Sequence, residues 1–346
     1  MTTLPVRHLR RGRLSLRIRP RAVAVGLLLL AAALAVGAVA IGTGTAITVQ
    51  DVLLTLAGKG TPQSAYVVYE LRAPRVLVAL LVGAALGTSG AIFQGLSRNP
   101  LGSPDVIGFN QGAATGAVVV LLVLRSGSDT VSVGAMVFGM ATALVVYLLA
   151  YKGGVQGYRL VLVGIGVSAM LEAVTAYLLV RADLYESQAA KTWLIGSLSG
   201  SEWGHVGPLA LAVAVLLPAA FLLARPLGLL ELGDDTANGL GLPVERTRLA
   251  LVAVAVALSG VSVASAGPIL FVALAAPQLA KRLTRAPGPG VVPAAFMGAL
   301  LLVTADFAAQ RLPTPGQLPV GVLTGSLGGL YLGWLMAREW RARARA

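Results

Sequence analysis

The chain has no cysteine and only two histidines, His8 and His205, among 346 residues. Disulfides, thiolate nucleophiles and cysteine-ligated metal sites are therefore excluded, and two imidazoles so far apart make a poor transition-metal site. Charge is scarce too. Asp, Glu, Lys and Arg reach 12% of the chain, about half the ~25% of a soluble protein. No G-x-x-x-x-G-K-[ST] loop is present, so ATP is not held in that manner. With no nucleophile and base in one pattern, no catalytic, cofactor-binding or metal-binding residue is expected.

What fills the sequence is apolar. Hydrophobic residues make up 56%, glycines number 42, and the mean hydropathy is +0.82. A soluble fold lacks the interior to hide so much apolar side chain behind so little charge. Lipid must be the solvent for most of it. The net charge of +13 sits at segment ends and in one N-terminal cluster rather than along a stripe, which excludes nucleic acid as a partner.

A bilayer core of ~30 Å needs ~20 apolar helical residues. Runs of this kind lie at Ala22–Ile41, Val76–Leu96, Val106–Leu124, Thr130–Tyr151, Leu160–Val180, Val206–Ala224, Pro293–Gln310 and Leu312–Ala337. Leu249–Ala280 is too long for one span, and Ala266-Gly267-Pro268 divides it into two. The reading is an all-α, polytopic membrane protein of ten helices. Residues 1–21 form a basic tail, 22–337 the membrane domain with a loop at 229–248, and 338–346 a second basic tail.

Loop charge sets the orientation. With the N-terminus inside, 20 of the 27 lysines and arginines fall on the inner side, so both termini are expected in the cytoplasm. Arg10-Arg11 and Ala38-Val39-Ala40 resemble export-signal features, but an apolar stretch of ~20 residues exceeds the 7–15 of a signal peptide. An uncleaved first helix is the better reading.

Small residues recur at helical spacing in Gly83/Gly87/Gly90, Gly108/Gly112/Gly116 and Gly321/Gly325/Gly329, a pattern for close helix packing. Prolines and polar residues interrupt helix at Gln94–Gly112 (QGLSRNPLGSPDVIGFNQG) and Gln310–Val322. Irregular backbone at membrane depth is tolerated only where protein buries it or it lines a wet cavity. Broken helices of this sort are a transporter trait.

The longest inner connection is Leu230–Arg248 (LELGDDTANGLGLPVERTR). Asp234 suits the N-cap of a short helix and Asp235 its positive end, while Gly239 and Gly241 suit its close. Pro243 and Glu245 suit the start of a second short helix. The expected product is a helix-turn-helix offering Leu232, Ala237, Leu240 and Leu242 to a partner, although a plain interhelical loop meets the same pattern. Glu172 is the acid at mid-helix, at a cost of roughly 2.5–3.5 kcal/mol against lipid, so it should face a bundle interior or water. Asp306 and Asp105 are further candidate membrane acids.

The chain resembles FecCD-type permeases, the membrane subunits of ABC importers for iron siderophores, haem and cobalamin. The matching stretches are Leu71–Arg75, Gly83–Gly112, Arg159–Ala169, Leu230–Arg248, Ala266–Arg282 and Gln317–Leu332, and the ferric-enterobactin members are most alike. The resemblance implies a type II importer permease of ten helices in the bacterial inner membrane. It implies partners as well: a paralogous or identical permease subunit, two ABC ATPase subunits holding ATP and Mg, and an extracytoplasmic siderophore-binding protein. The cargo would be a ferric siderophore. ATPase coupling falls on Gly233, Asp234, Asp235, Thr236, Ala237, Leu240 and Gly241. Asn99 and Leu101 match a cytoplasmic gate, with Gly157 and Tyr158, beside Gln156, near its second element. Arg72, Arg75 and Arg311 match arginines that dock the binding protein, and Glu172 is the pathway candidate.

Departures from the pattern are Gln278 where the family usually has His, Ala286–Pro289 in place of an Asp-His-Arg, Arg311 one position late, and Gln317 where Glu is common. A haem or cobalamin importer and an ion-coupled secondary transporter stand as alternatives.

Overall fold

The structure, a computed structural model, describes residues 7–11, 14–18, 20–44, 47–104, 108–126, 128–151, 157–285, 288–312 and 318–343. Ahead of the membrane body, β1 (Arg7–Arg11) and β2 (Leu14–Ile18) pair as an antiparallel hairpin with Leu9 opposite Leu16. Leu14, Leu16 and Ile18 alternate with Ser15 and Arg17, the period of a strand. The basic tail read from the sequence thus carries local structure.

The membrane body is helical, as the apolar runs demanded. Its first helix is α1 (Pro20–Gly42). After it, α2 (Val49–Leu56) is a short helix closed by a reciprocal cap between Thr48 and Asp51. Next, α3 (Pro62–Ala65), a π-helical stretch Tyr66–Arg72 and α4 (Ala73–Ser97) run on without a break. The helix thus begins ahead of Val76, where the apolar run starts.

The chain continues through α5 (Phe109–Leu122), α6 (Ser128–Ala150), α7 (Gly157–Arg181), α8 (Leu184–Ile195) and α9 (Trp203–Leu230). A short α10 (Asp234–Gly239) leads into α11 (Val244–Ala266), α12 (Val272–Thr284), α13 (Val291–Ala309) and α14 (Val320–Arg343). Ten of these coincide with the ten expected spans: α1, α4 to α7, α9 and α11 to α14. Among the described residues seven stretches are individually long and apolar enough to cross a bilayer. Of the other three, α5 and the first part of α14 are shorter apolar helices, and α12 is shorter still.

How α12 manages with 13 residues is instructive. At 1.5 Å per residue it rises only ~20 Å. Irregular backbone at Gly267–Phe271 precedes it, and Gly267, Pro268 and Ile269 are all buried. Ser197 N–H donates to the Ala266 carbonyl (2.9 Å) and Gly321 N–H to the Gly196 carbonyl (3.1 Å). The breaks after α8 and α11 and the first turn of α14 therefore satisfy one another inside protein, as lipid requires. Gly196 and Gly267 both take positive φ, at 75° and 69°, which side chains resist.

The centre of the bundle is α4, flanked by α9, α11, α12 and α13. At Gly83 and Gly87 a Cβ would strike the backbone of Ala294, Gly298 and Ala299, so α4 and α13 lie backbone to backbone. Gly112 and Gly116 likewise leave room for α6 to close on α5, chiefly for the side chains of Thr142 and Phe138. The third small-residue stripe is corrected. Gly321 packs, but Gly325 and Gly329 have nothing within 4 Å, and it is Gly328 that seats the Phe271 ring.

Candidate functional site

Two faces of the bundle concentrate the polar contacts. The first gathers the end of α4, the α9–α11 connection and the end of α12. Here α4 stops at Arg98, which takes a left-handed conformation (φ 50°, ψ 30°). In the turn that follows, Leu101 N–H donates to Asn99 Oδ1 (2.9 Å) and Gly102 N–H to the Asn99 carbonyl (3.0 Å). Both expected gate residues, Asn99 and Leu101, are exposed. Gln278, seen in the sequence only as a departure, braces this turn from α12. Its Nε2 donates to the Pro100 carbonyl (2.6 Å) and its Oε1 accepts from the Tyr331 hydroxyl (3.3 Å). Both ends of one amide are used, so the amide is fixed in orientation.

The α9–α11 connection departs from expectation in three respects. Gly233, not Asp234, is the N-cap of α10, and no side chain caps it. The Asp234 carboxylate is used elsewhere: Arg98 Nη2 donates to Oδ1 (2.6 Å) and Arg248 Nη2 to Oδ2 (2.8 Å). Two guanidinium groups outcompete a local cap because charge-assisted hydrogen bonds are the stronger kind. Second, Pro243 opens no separate short helix; it is the N-cap of the long α11. Third, Ala237 is fully buried, whereas Leu232 and Leu240 are each 61% exposed. A helix this short must pin one side against its neighbours, and Ala237 is that side.

Gly241 stands at positive φ just past α10, as a helix exit requires. Asp235 and Thr236 are exposed. Burial on its own would raise the Asp234 carboxyl, but the hydrogen bond and charge of Arg248, with Arg98, hold it below the ordinary carboxylate range. Arg248 also donates to Glu245 (2.7 Å), and Lys281 of α12 lies 3.6 Å from Glu231 at the end of α9. Neither Arg98 nor Arg248 was singled out from sequence beyond its sign.

At the opposite face, Arg75 is 13% exposed and paired to Asp306, itself 3% exposed, at 2.9 Å. Gln310 Nε2 donates to the same carboxylate (2.7 Å). Arg75 thus has an internal partner. Arg72 and Arg311 converge instead on the end of α1. Arg72 donates to the Ile41 carbonyl (2.8 Å), and Arg311 hydrogen-bonds the Thr43 hydroxyl while stacking on the Phe307 ring. Nearby, Trp203 Nε1 donates to the Tyr69 carbonyl (2.9 Å), meeting a backbone group of the π-helical stretch. A crevice of about 440 Å³ opens beside Arg75, lined also by Glu70, Ser201 and Glu202.

Glu172 is exposed on α7, as are Ala169 and Ala176, its neighbours one turn away on the same helix face. Gly157 is the first residue of α7, and Tyr158 after it is exposed. Gln156, Asp105 and Gln317 lie outside the described residues.

The chain matches the FecCD transport family over residues 27–338. It is 48% identical over 300 residues to the ferric enterobactin transport system permease protein FepG of Escherichia coli K12, covering 86% of this chain and 91% of that protein. The hemin transport system permease protein HmuU of Yersinia pestis is 37% identical over 288 residues, covering 80% and 84%. A solved structure described as an inward-facing metal-chelate type ABC transporter superposes with a TM-score of 0.80 at 24% identity, over 91% of this chain and 99% of that one. That last likeness is one of fold.

Proposed function

The chain belongs to the FecCD transport family, and from that premise we propose that it is the permease subunit of an ATP-driven importer. In this reading it carries a ferric siderophore, a catecholate chelate of the enterobactin kind, from outside a bacterial cell membrane to the cytoplasm by alternating access. Similarity to FepG supports that cargo, and the arginine bias supports cytoplasmic termini. A second permease subunit completes the pathway, two ATPase subunits supply ATP and Mg, and a binding protein delivers the chelate.

The observation that carries the reading is the α10 elbow. Exposed Leu232 and Leu240 surround an ion-paired base on the same face as the Asn99–Leu101 turn. An apolar knob on a rigid footing suits a surface that must receive force from a soluble partner. Arg72, Arg75 and Arg311 serve as the outer docking arginines, Arg75 being the one held by a carboxylate, Asp306.

Glu172 favours a second cargo. An acid on the exposed side of α7 is costly against lipid, so in this reading that side faces the second subunit or the pathway, where an ionised Glu172 would repel a trianionic catecholate. A less anionic chelate, a haem or a cobalamin answers this. The test is co-purification from the native host, followed by ATP turnover with ferric enterobactin, a cationic hydroxamate chelate, haem and cobalamin, each with Glu172→Gln. Stimulation by enterobactin supports the catecholate, and a selective hydroxamate response abolished in Glu172→Gln supports the second reading. Uptake that ends when the proton gradient collapses, with ATP intact, would establish a secondary transporter instead.

A further inference from the structure

Arg98 ends α4 in a left-handed conformation, which glycine adopts freely and an L side chain only at a cost. Glycine would end the helix without that cost, so the value of arginine here lies in its side chain. Its Nε donates to the carbonyl of Leu230, the last residue of α9 (3.1 Å), and its Nη2 to Asp234, the first residue of α10 (2.6 Å). A single guanidinium thus spans the hinge by which the elbow leaves the bundle.

The other Asp234 oxygen is held by Arg248, whose side chain is 9% exposed in α11. Asp234 therefore belongs mechanically to the elbow and α11. Arg98 belongs to the turn, because Asn99 follows it directly and the turn is closed by its own Asn99–Leu101 and Asn99–Gly102 hydrogen bonds. On the far side the turn is tethered to α12 through Gln278 and Pro100.

From this arrangement we infer that Arg98 and Asp234 are positioning residues, a two-point link that transmits displacement of the α10 elbow to the Asn99–Leu101 turn. The inference rests on the importer reading and deepens it by naming where drive enters the gate. Pulled at Arg98 and tethered at Pro100, the turn would pivot rather than translate. The pair itself is 45% and 42% exposed, and exposed ion pairs contribute little stability. Its worth is therefore positional, and variants lacking it should still fold. The depressed Asp234 carboxyl keeps the link charged at neutral pH.

The test uses the assembled importer in proteoliposomes: this chain, its second permease subunit, the ATPase pair and the binding protein, with ferric enterobactin as probe. Chelate moved per ATP hydrolysed is compared for wild type, Arg98→Ala, Asp234→Asn and the double variant. In each single variant chelate per ATP should fall about five- to tenfold, and Arg98→Ala should retain ATP turnover. The double should be no worse than the more severe single, because both act through one contact. Parallel losses of turnover and uptake at an unchanged ratio, or an additive double, would overturn the link. Absence of ATP-driven uptake in the wild type would overturn the importer reading itself, and the link with it.

Discussion

Arg75 grips Asp306 from 231 positions away in sequence, its Nε 3.0 Å from Oδ2 and its Nη2 2.9 Å from Oδ1. The pair explains how α13 carries an acid that lipid would reject: the charge is matched inside protein, and Gln310 takes up part of the remaining acceptor capacity.

Removing one partner strands the other. Arg75→Ala should lower stability by ~3–5 kcal/mol, the usual result of leaving a buried charge unpaired. Arg75→Ala with Asp306→Ala should be clearly milder than the sum of the two single changes. Thermal unfolding of the purified chain in detergent, monitored by size-exclusion, distinguishes the two outcomes.

Backbone contact between α4 and α12 is equally testable. At Gly90 a Cβ would fall on the Ala273 carbonyl. Gly90→Ala should therefore cost ~1–3 kcal/mol through forced separation of the two helices. Gly166 in α7 has nothing within 4 Å, so Gly166→Ala should leave the unfolding temperature unchanged or slightly raised.

The long crossings were legible because lipid imposes apolar runs, and the division at Ala266–Pro268 because a glycine-proline pair in an overlong apolar run disfavours continuous helix. Partnerships across the bundle were not. Asp234 reads as a cap by local rules, yet two arginines brought near by folding claim it; Asp306 reads as a lone acid because Arg75 is so distant in sequence. Ala237 has the spacing of an offered residue, and only the packing of α10 shows it buried. The hairpin at Arg7–Ile18 was readable from its alternation and was overshadowed by its arginines.

Gln278 should hold the turn through its donor alone. Glu at this position keeps an acceptor for Tyr331 but, when ionised, sets a carboxylate against the Pro100 carbonyl. Loss of that hydrogen bond, on the order of 1–3 kcal/mol for a stranded buried group, should loosen the turn. The chain has no natural cysteine, so Leu101→Cys reports alone. Gln278→Glu should speed its labelling by a thiol reagent several-fold, and an unchanged rate would deny the brace.

The pH dependence of the Asp234 bridge follows from the sign of its shift. Its folded pKa lies below the ordinary 3.8. Its contribution is therefore complete above that ordinary value and is lost as pH falls through the lower folded one. From about pH 5 to 8 the stability difference between wild type and Asp234→Asn should stay constant, and it should shrink only in stronger acid. Unfolding temperatures across that range check the claim.

Most direct is a measurement on the elbow. With residues 233–241 scrambled in composition-preserving order, the chain should still insert and assemble with its second subunit, but lose ATPase binding and all accumulation of ferric chelate in cells. Undiminished accumulation by the scrambled chain would contradict the account at its centre.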